Sequence, residues 1–228
     1  MMRAYFVTGT DTGVGKTLVT AALLRRLRSA GVRVAGMKPV AAGAIDGPEG
    51  RANEDALLLQ AESSARHPYA LVNPCLYEPA IAPHIAAAES GVAIDVDRIA
   101  AALRALASSA DVVLVEGAGG FLVPMDDARS CAELPVLLGM DVILVVGLRL
   151  GCLNHALLTA EAAAARGLRL AGWVGNCVVP EFPRREANVA TLESRLPAPC
   201  LGIVPWLHDR DLARAAVALS GTLWLRPA

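Results

Sequence analysis

Three stretches of this chain, Tyr5-Phe6-Val7, Val112-Val113-Leu114-Val115 and Val142 to Val146, are apolar at every position rather than at every second one. Side chains on a strand point alternately to the two faces of its sheet, so an unbroken apolar run belongs to a strand covered on both. Each run ends in a glycine or polar turn, and the first is followed by apolar residues at helical spacing (Leu18, Ala22, Leu23, Leu27). Further strands are predicted at Arg33 to Pro39, Leu170 to Asn176 and 201–204. Helices are predicted around Asp55 to Leu59 and over 95–108, 154–166, 184–195 and 211–219, with Gly31 and Gly167 stopping the helices before them. Residues 41–50 read as a loop. Residues 63–93 read as irregular, because Pro68, Pro74, Pro79 and Pro83 interrupt any long element. Successive strand–helix units imply an α/β fold: one open, mostly parallel sheet flanked by helices on both faces. The 228 residues suit a single domain, 1–228, with no internal repeat, low-complexity tract or linker.

In such sheets ligands gather at the carboxyl ends of the strands. That rule selects the 9–17 loop, Lys38-Pro39, Glu116 to Gly120, Gly147 to Asn154, Asn176 and Pro205. The first of these, Gly9-Thr10-Asp11-Thr12-Gly13-Val14-Gly15-Lys16-Thr17, lies between a strand and a helix, which is the context of a phosphate-binding loop. Gly13 and Gly15 let backbone N–H groups curl around phosphate oxygens, and the new helix presents its positive end. Lys16 would reach the β- and γ-phosphates, and the Thr17 hydroxyl would ligate Mg²⁺. The loop is a variant. Thr10 holds the usual first glycine position, five residues before Gly15, with Gly9 one place earlier.

Only two of the 21 basic residues are lysines, Lys16 and Lys38, and both fall on this rim. Arginine serves wherever a solvated cation suffices; lysine supplies a compact ammonium on a flexible stem. Lys38 closes the Val34-Ala35-Gly36-Met37 run and could stabilise charge on a transferring phosphoryl group or its attacker, or simply snorkel from a strand end. Glu116 ends a buried strand and opens Gly117-Ala118-Gly119-Gly120, where a carboxylate could ligate Mg²⁺ beside Thr17 or cap a turn. Asp55 by spacing alone is as readily a solvated helix acid. The start of the helix after Gly147-Leu148-Arg149-Leu150 offers free N–H groups to an anion, with Asn154 an alternative N-cap. Cys152 reads as a packed thiol and His155 as an ordinary first-turn residue.

Composition narrows the partners. The net charge is −1 with both signs dispersed, which gives no footprint for nucleic acid or an anionic membrane. No apolar run reaches membrane-spanning length, and Met1-Met2-Arg3 leads into a strand rather than a secretion signal. Five cysteines without CxxC spacing read as reduced thiols of a cytoplasmic protein.

Taken together, these segments resemble the dethiobiotin synthetase family. The matches are Tyr5 to Thr12 with Gly15-Lys16-Thr17, Gly36 to Ala41 with Lys38-Pro39-Val40, Pro48-Glu49-Gly50, Asn53, Asp55-Ala56, Val72-Asn73-Pro74 and Pro83-His84-Ile85. They continue with Leu114 to Gly120, Leu150 to Ala156, Ala171 to Val174, Asn176 and Pro205-Trp206-Leu207. The resemblance implies a P-loop NTPase-like enzyme that uses ATP and Mg²⁺ to join CO₂ to 7,8-diaminononanoate and close a cyclic urea. The route it implies passes through a carbamate and a carbamic–phosphoric anhydride.

Carried over, Gly13, Val14, Gly15, Lys16, Thr17 and Leu18 would hold the triphosphate, and Thr17, Asp55 and Glu116 the metal. Lys38 and Lys16 would be catalytic. Gly117, Ala118 and Gly119 would line nucleotide and substrate. Asn176, Cys177, Pro205, Trp206 and Leu207 would hold adenine. Thr12, Lys38, Ala42 and Gly119 would meet the substrate, and Gly151, Cys152, Leu153 and Asn154 its distal carboxylate across a homodimer. Three positions depart from the family pattern. Ala42 stands where a serine is frequent, Cys177 where an acid commonly follows the asparagine, and Leu212 where a polar residue is usual.

Three rivals fare worse on sequence grounds. A partition-type switch ATPase relies on a second lysine five residues before the loop lysine, where this chain has Asp11. An iron–sulfur carrier ATPase needs paired cysteines. A glutamine-dependent ligase needs a further domain.

Overall fold

The computed structural model describes residues 3–220. Met1, Met2 and residues 221–228, which the sequence reading assigns to the same domain, lie outside the described residues. The chain opens with β1 (Arg3–Gly9), α1 (Lys16–Ser29), β2 (Val34–Met37), β3 (Val40–Ala42), β4 (Ile45–Gly47) and β5 (Gly50–Ala52). It continues through α2 (Glu54–Glu62), α3 (Tyr69–Val72), β6 (Cys75–Tyr77), α4 (Pro83–Ser90), α5 (Val96–Ala107) and β7 (Val112–Gly120). It closes with α6 (Glu133–Leu138), β8 (Asp141–Leu148), α7 (Cys152–Ala164), β9 (Leu170–Cys177), α8 (Arg185–Arg195), β10 (Cys200–Val204) and α9 (Leu212–Val217).

The main sheet has six strands in the order β10-β9-β8-β1-β7-β2, and every neighbouring pair is parallel. The expected α/β sheet is therefore the one the chain forms. The unbroken apolar runs are buried on both faces, and successive residues serve opposite cores. Val7, Leu114, Ile143 and Val145 meet Leu23, Leu24 and Leu27 of α1, Leu59 of α2 and Ala215 of α9. Phe6, Val113, Val115 and Leu144 meet Ile99, Leu103 and Leu106 of α5, Ala156 of α7 and Leu192 of α8. Each large side chain buried in this way is worth about 1.5–3 kcal/mol.

Several segments differ from the sequence expectation. The 41–50 loop contains the end of β3 and a β4–β5 hairpin closed by the Gly47–Gly50 pair. Residues 63–93 hold α3, β6 and α4, because their prolines punctuate elements rather than erase them: Pro68 precedes α3, Pro74 precedes β6, and Pro83 occupies the first turn of α4, where a missing N–H costs nothing. Strand two stops at Met37, and β7 runs on through the glycines to Gly120, paired there with Gly9. A Cβ on Gly117 would come within 2.7 Å of the Phe6 ring. Helix α6 has no counterpart among the predicted helices; its first residue, Glu133, anchors the preceding turn, Oε2 accepting from the Ser130 N–H at 2.9 Å and hydroxyl at 2.6 Å. Helix α7 begins at Cys152, so Asn154 lies inside its first turn and Gly151 is the N-cap. Among the described residues no helix is long and apolar enough to cross a membrane.

Candidate active site at the strand-end rim

The loop after β1 is pinned by packing. The Val14 side chain, 1% exposed, lies between Gly9 and Gly147, where a Cβ on either would come within 2.6 or 2.8 Å of it. Gly15 turns the chain at φ 84°, and a Cβ there would strike the Asn176 amide. Asn176 Nδ2 donates to the Val14 carbonyl at 2.8 Å, clamping the loop to the end of β9. Helix α1 then starts with no side-chain cap and no acid in its first turn. Its first amides and positive pole remain for a phosphate. Lys16 is buried, and its Nζ donates to the Asp11 carbonyl at 3.2 Å.

Four side chains from four elements meet beside this loop. Lys38 Nζ, just past β2, donates to Glu116 Oε1 of β7 at 2.6 Å and to Asp55 Oδ2 of α2 at 2.9 Å. Thr17 Oγ1 of α1 donates to the same Glu116 oxygen at 2.9 Å. Glu116 is fully buried, and its Oε2 has no hydrogen-bond partner. Burial works against the Lys38 ammonium, but the charges and hydrogen bonds of Glu116 and Asp55 outweigh it and hold the pKa above the usual lysine value. Burial likewise favours a neutral Asp55, yet the Lys38 charge and hydrogen bond keep its pKa below the usual carboxylate value. Lys16 is pushed down by burial; Lys38 adds to this, and Glu116, Asp55 and Asp11 oppose it. The two lysines thus stand in one electrostatic neighbourhood.

A buried hydrogen-bond chain aims two members of this cluster. The Lys38 N–H donates to the Val72 carbonyl at 2.7 Å, and its own carbonyl accepts from Asn73 Nδ2 at 2.6 Å. Asn73 Oδ1 accepts from the Tyr69 hydroxyl at 3.0 Å, and the Tyr69 oxygen accepts from the Asn53 N–H at 2.8 Å. Asn53 Oδ1 caps α2 through the N–H groups of Asp55 and Ala56. Both peptide groups of Lys38 and the turn bearing Asp55 are therefore held by one network. No sequence pattern points to Tyr69, and Asn53 and Asn73 enter from sequence only as positions that match the family.

The remaining predicted residues fall as follows. Thr12 and Gly13 are exposed at the loop tip, and Leu18 packs partly into the core, so Gly13 to Leu18 offer backbone rather than side chains apart from Lys16 and Thr17. A Cβ on Gly119 would reach Val123 and lie 3.5 Å from Thr12 Oγ1, which places Gly117, Ala118 and Gly119 alongside the loop. Ala42 ends β3, half-buried. Helix α7 is N-capped by Gly151 (φ 93°), with no side-chain cap and no acid in its first turn. The Cys152 N–H donates to the Arg149 carbonyl at 3.0 Å, so of the predicted anion-binding amides those of Leu153 and Asn154 remain; Cys152 itself is a packed thiol. Cys177 points to the opposite face from Asn176, toward Arg185 of α8, and borders an open cavity of about 370 Å³ also lined by Val189, Ile203 and Pro205. Leu207 is buried in the α1–α9 core, where Leu212 also packs, while Pro205 and Trp206 are exposed.

A protein-family model described as an AAA domain matches residues 3–214. The ATP-dependent dethiobiotin synthetase BioD of Pseudomonas paraeruginosa is 53% identical over 227 residues, covering 99% of this chain and 98% of that protein. The protein of the same name from Marinobacter nauticus is 48% identical over 225 residues, covering 98% and 96%. The chain belongs to the dethiobiotin synthetase family. Among solved structures, a ParA family ATPase from Chlorobium tepidum matches this member with a TM-score of 0.58 at 14% identity, over 96% of this chain and 91% of that one. MinD from Pyrococcus horikoshii, complexed with Mg-ADP, matches at 0.55 and 17% identity, over 98% and 89%. Identities this low speak for a shared P-loop fold alone.

For a dethiobiotin synthetase the donor set at Thr17, Asp55 and Glu116 fits Mg²⁺. It is made of hard oxygens, and one buried carboxylate oxygen lacks a partner. Among the described residues no group of three or more His, Cys, Asp and Glu converges. Two carboxylates and a hydroxyl form the sparse set that suits Mg²⁺ when phosphate oxygens and water complete its shell. The departures from the family pattern remove none of these groups: Leu212 belongs to the core, and Cys177 faces α8.

Proposed function

We propose that this chain is an ATP- and Mg²⁺-dependent dethiobiotin synthetase acting in the penultimate step of biotin biosynthesis. It carboxylates 7,8-diaminononanoate with CO₂ and closes the ureido ring, releasing ADP and phosphate. The observation that carries the reading is the meeting of the Lys38 ammonium, the Thr17 hydroxyl and the Glu116 and Asp55 carboxylates beside the Lys16 loop.

One substrate amine adds to CO₂ and loses a proton to become a carbamate. Its oxygen attacks the γ-phosphorus of ATP and ADP leaves, giving a carbamic–phosphoric anhydride. The second amine then attacks the carbonyl carbon, phosphate departs, and the ring is closed. Phosphoryl transfer is chiefly positioning and charge stabilisation, which is what this rim supplies. The amides from Gly13 to Leu18 and the Lys16 ammonium hold the triphosphate. Lys38 has three N–H donors; two rest on Glu116 and Asp55, and the third is left for a carbamate oxygen. Thr17, Asp55 and Glu116 would hold Mg²⁺, which would offset charge on the phosphate oxygens. Thr12, Ala42 and Gly119 border the diamine, and Asn176 with the Pro205–Leu207 backbone the base.

The chain works as one domain and as a homodimer in the cytoplasm, its distal substrate carboxylate received by the amides at Gly151–Asn154 of the second copy. Leu150, 93% exposed beside Gly151, is apolar surface that a partner subunit would cover. Dispersed charge favours small molecules over nucleic acid or membrane as further partners. The deciding assay mixes the protein with MgATP, labelled bicarbonate and diaminononanoate. An acid-stable labelled product forms, with ATP hydrolysis dependent on both co-substrates; absence of that product ends the reading. Sedimentation equilibrium returns twice the chain mass.

A further inference from the structure

The phosphate loop carries a carboxylate where its ligand brings several negative charges. Asp11 stands five residues before Lys16, and its backbone carbonyl accepts the Lys16 ammonium at 3.2 Å, so the residue belongs to the anion-binding turn itself. An unopposed carboxylate there repels a triphosphate and weakens the site it belongs to. In the structure it is opposed: Arg149 Nη2 donates to Asp11 Oδ2 at 2.7 Å, while Asp11 Oδ1 accepts the Thr12 N–H, also at 2.7 Å. Arg149 lies in the turn between β8 and α7, where its carbonyl accepts the Cys152 N–H at 3.0 Å. The ion pair therefore joins the nucleotide loop to the helix start that offers its amides to an anion.

We propose that Arg149 is a positioning residue for nucleotide, acting through Asp11: it neutralises the loop carboxylate and fixes it as the acceptor for the Thr12 amide. The two jobs of Asp11 are separable. One oxygen shapes the loop, and an asparagine in its place keeps that acceptor. The negative charge itself is needed only to engage Arg149. With both side chains about half exposed (45% and 47%), the pair adds little to global stability, and its effect falls on ligand charge at the loop. The proposal rests on the reading of the loop as the nucleotide site.

The test measures MgADP affinity by calorimetry for wild type, Arg149→Ala, Arg149→Lys, Asp11→Asn and the Asp11→Asn/Arg149→Ala pair. Arg149→Ala weakens binding about three- to tenfold at low salt, as expected for one unit charge acting through solvent, and the deficit shrinks toward 1 M salt. Arg149→Lys keeps most of the affinity. Asp11→Asn binds more tightly than wild type, and the double variant, whose net charge at the loop equals that of wild type, returns to within about twofold of wild type, the residual expected where a surface ion pair contributes little else. If Arg149 contacts phosphate directly, the double variant stays as weak as Arg149→Ala, and the proposal is overturned. It is also overturned if Arg149→Ala binds as wild type does. A wild-type protein that binds no MgADP would instead refute the nucleotide reading. Unchanged melting temperatures across the set separate the electrostatic effect from misfolding.

Discussion

Replacing Lys38 by methionine isolates what one buried ammonium contributes. The side chain is 7% exposed and touches Glu116, which is 0% exposed, and Asp55, whose side chain is 41% exposed. Methionine keeps the volume but leaves both carboxylates without their cation. Asp55 can turn to solvent; Glu116 cannot. Breaking a buried pair by removing one partner costs about 3–5 kcal/mol, because the charge left behind has neither water nor counter-ion. For a chain of this size about 2–4 °C of melting temperature accompanies each kcal/mol, so Lys38→Met lowers it by about 6–20 °C. The assay is scanning calorimetry with EDTA present. Adding Glu116→Gln in the Lys38→Met background removes the stranded charge and restores most of the loss, since Asp55 remains hydrated. A Lys38→Met protein melting within about 2 °C of wild type, or a double variant no more stable than the single, would refute the argument that Glu116 and Lys38 depend on one another.

Four other outcomes follow from the same geometry. Millimolar Mg²⁺ raises the melting temperature of Lys38→Met more than that of wild type, because the metal's oxygen donors there no longer share a cation; equal shifts in calorimetry would contradict this. Lys38→Arg lowers formation of labelled dethiobiotin by about 100-fold or more while MgADP affinity survives, since a planar guanidinium does not fit an enclosed point-charge position. Gly15→Ala forces a non-glycine residue into the left-handed region at φ 84° and drives its Cβ into the Asn176 amide, so MgADP affinity measured by calorimetry falls by about tenfold or more. Asp55 titrates below its ordinary 3.8, so its pairing stabilises the fold above that value and the contribution is lost as pH falls through the lower folded pKa. The stability gap between wild type and Asp55→Asn, present at pH 7 in melting-temperature profiles, therefore closes below pH 3.8.

Much of the site was legible because its groups sit at predictable places on a parallel sheet. Lys16 and Thr17 follow a glycine turn, Lys38 follows β2, Glu116 closes the apolar run of β7, and Asn176 lies next to the end of β9. Asp55 was ambiguous from spacing, since an acid in the first turn of a helix is usually solvated; only the packing of α2 against β2 brings it within 2.9 Å of Lys38. Tyr69 left no trace because a hydroxyl bridging two asparagines from separate segments has no periodicity. Arg149 was hidden among 19 arginines. The 63–93 segment holds only short elements, as its prolines imply, but Pro68, Pro74 and Pro83 precede or start those elements rather than excluding them.

By itself the sequence determined the layering of this protein and the rim that gathers its candidate site, because burial on two faces requires unbroken apolar runs and those runs give way to glycines and polar residues at the carboxyl ends of the strands. The tertiary structure alone decided which charges pair. Lys38, Asp55 and Glu116 come from three elements up to 78 positions apart, and the sign and strength of their coupling depend on distance and burial, which no linear pattern encodes.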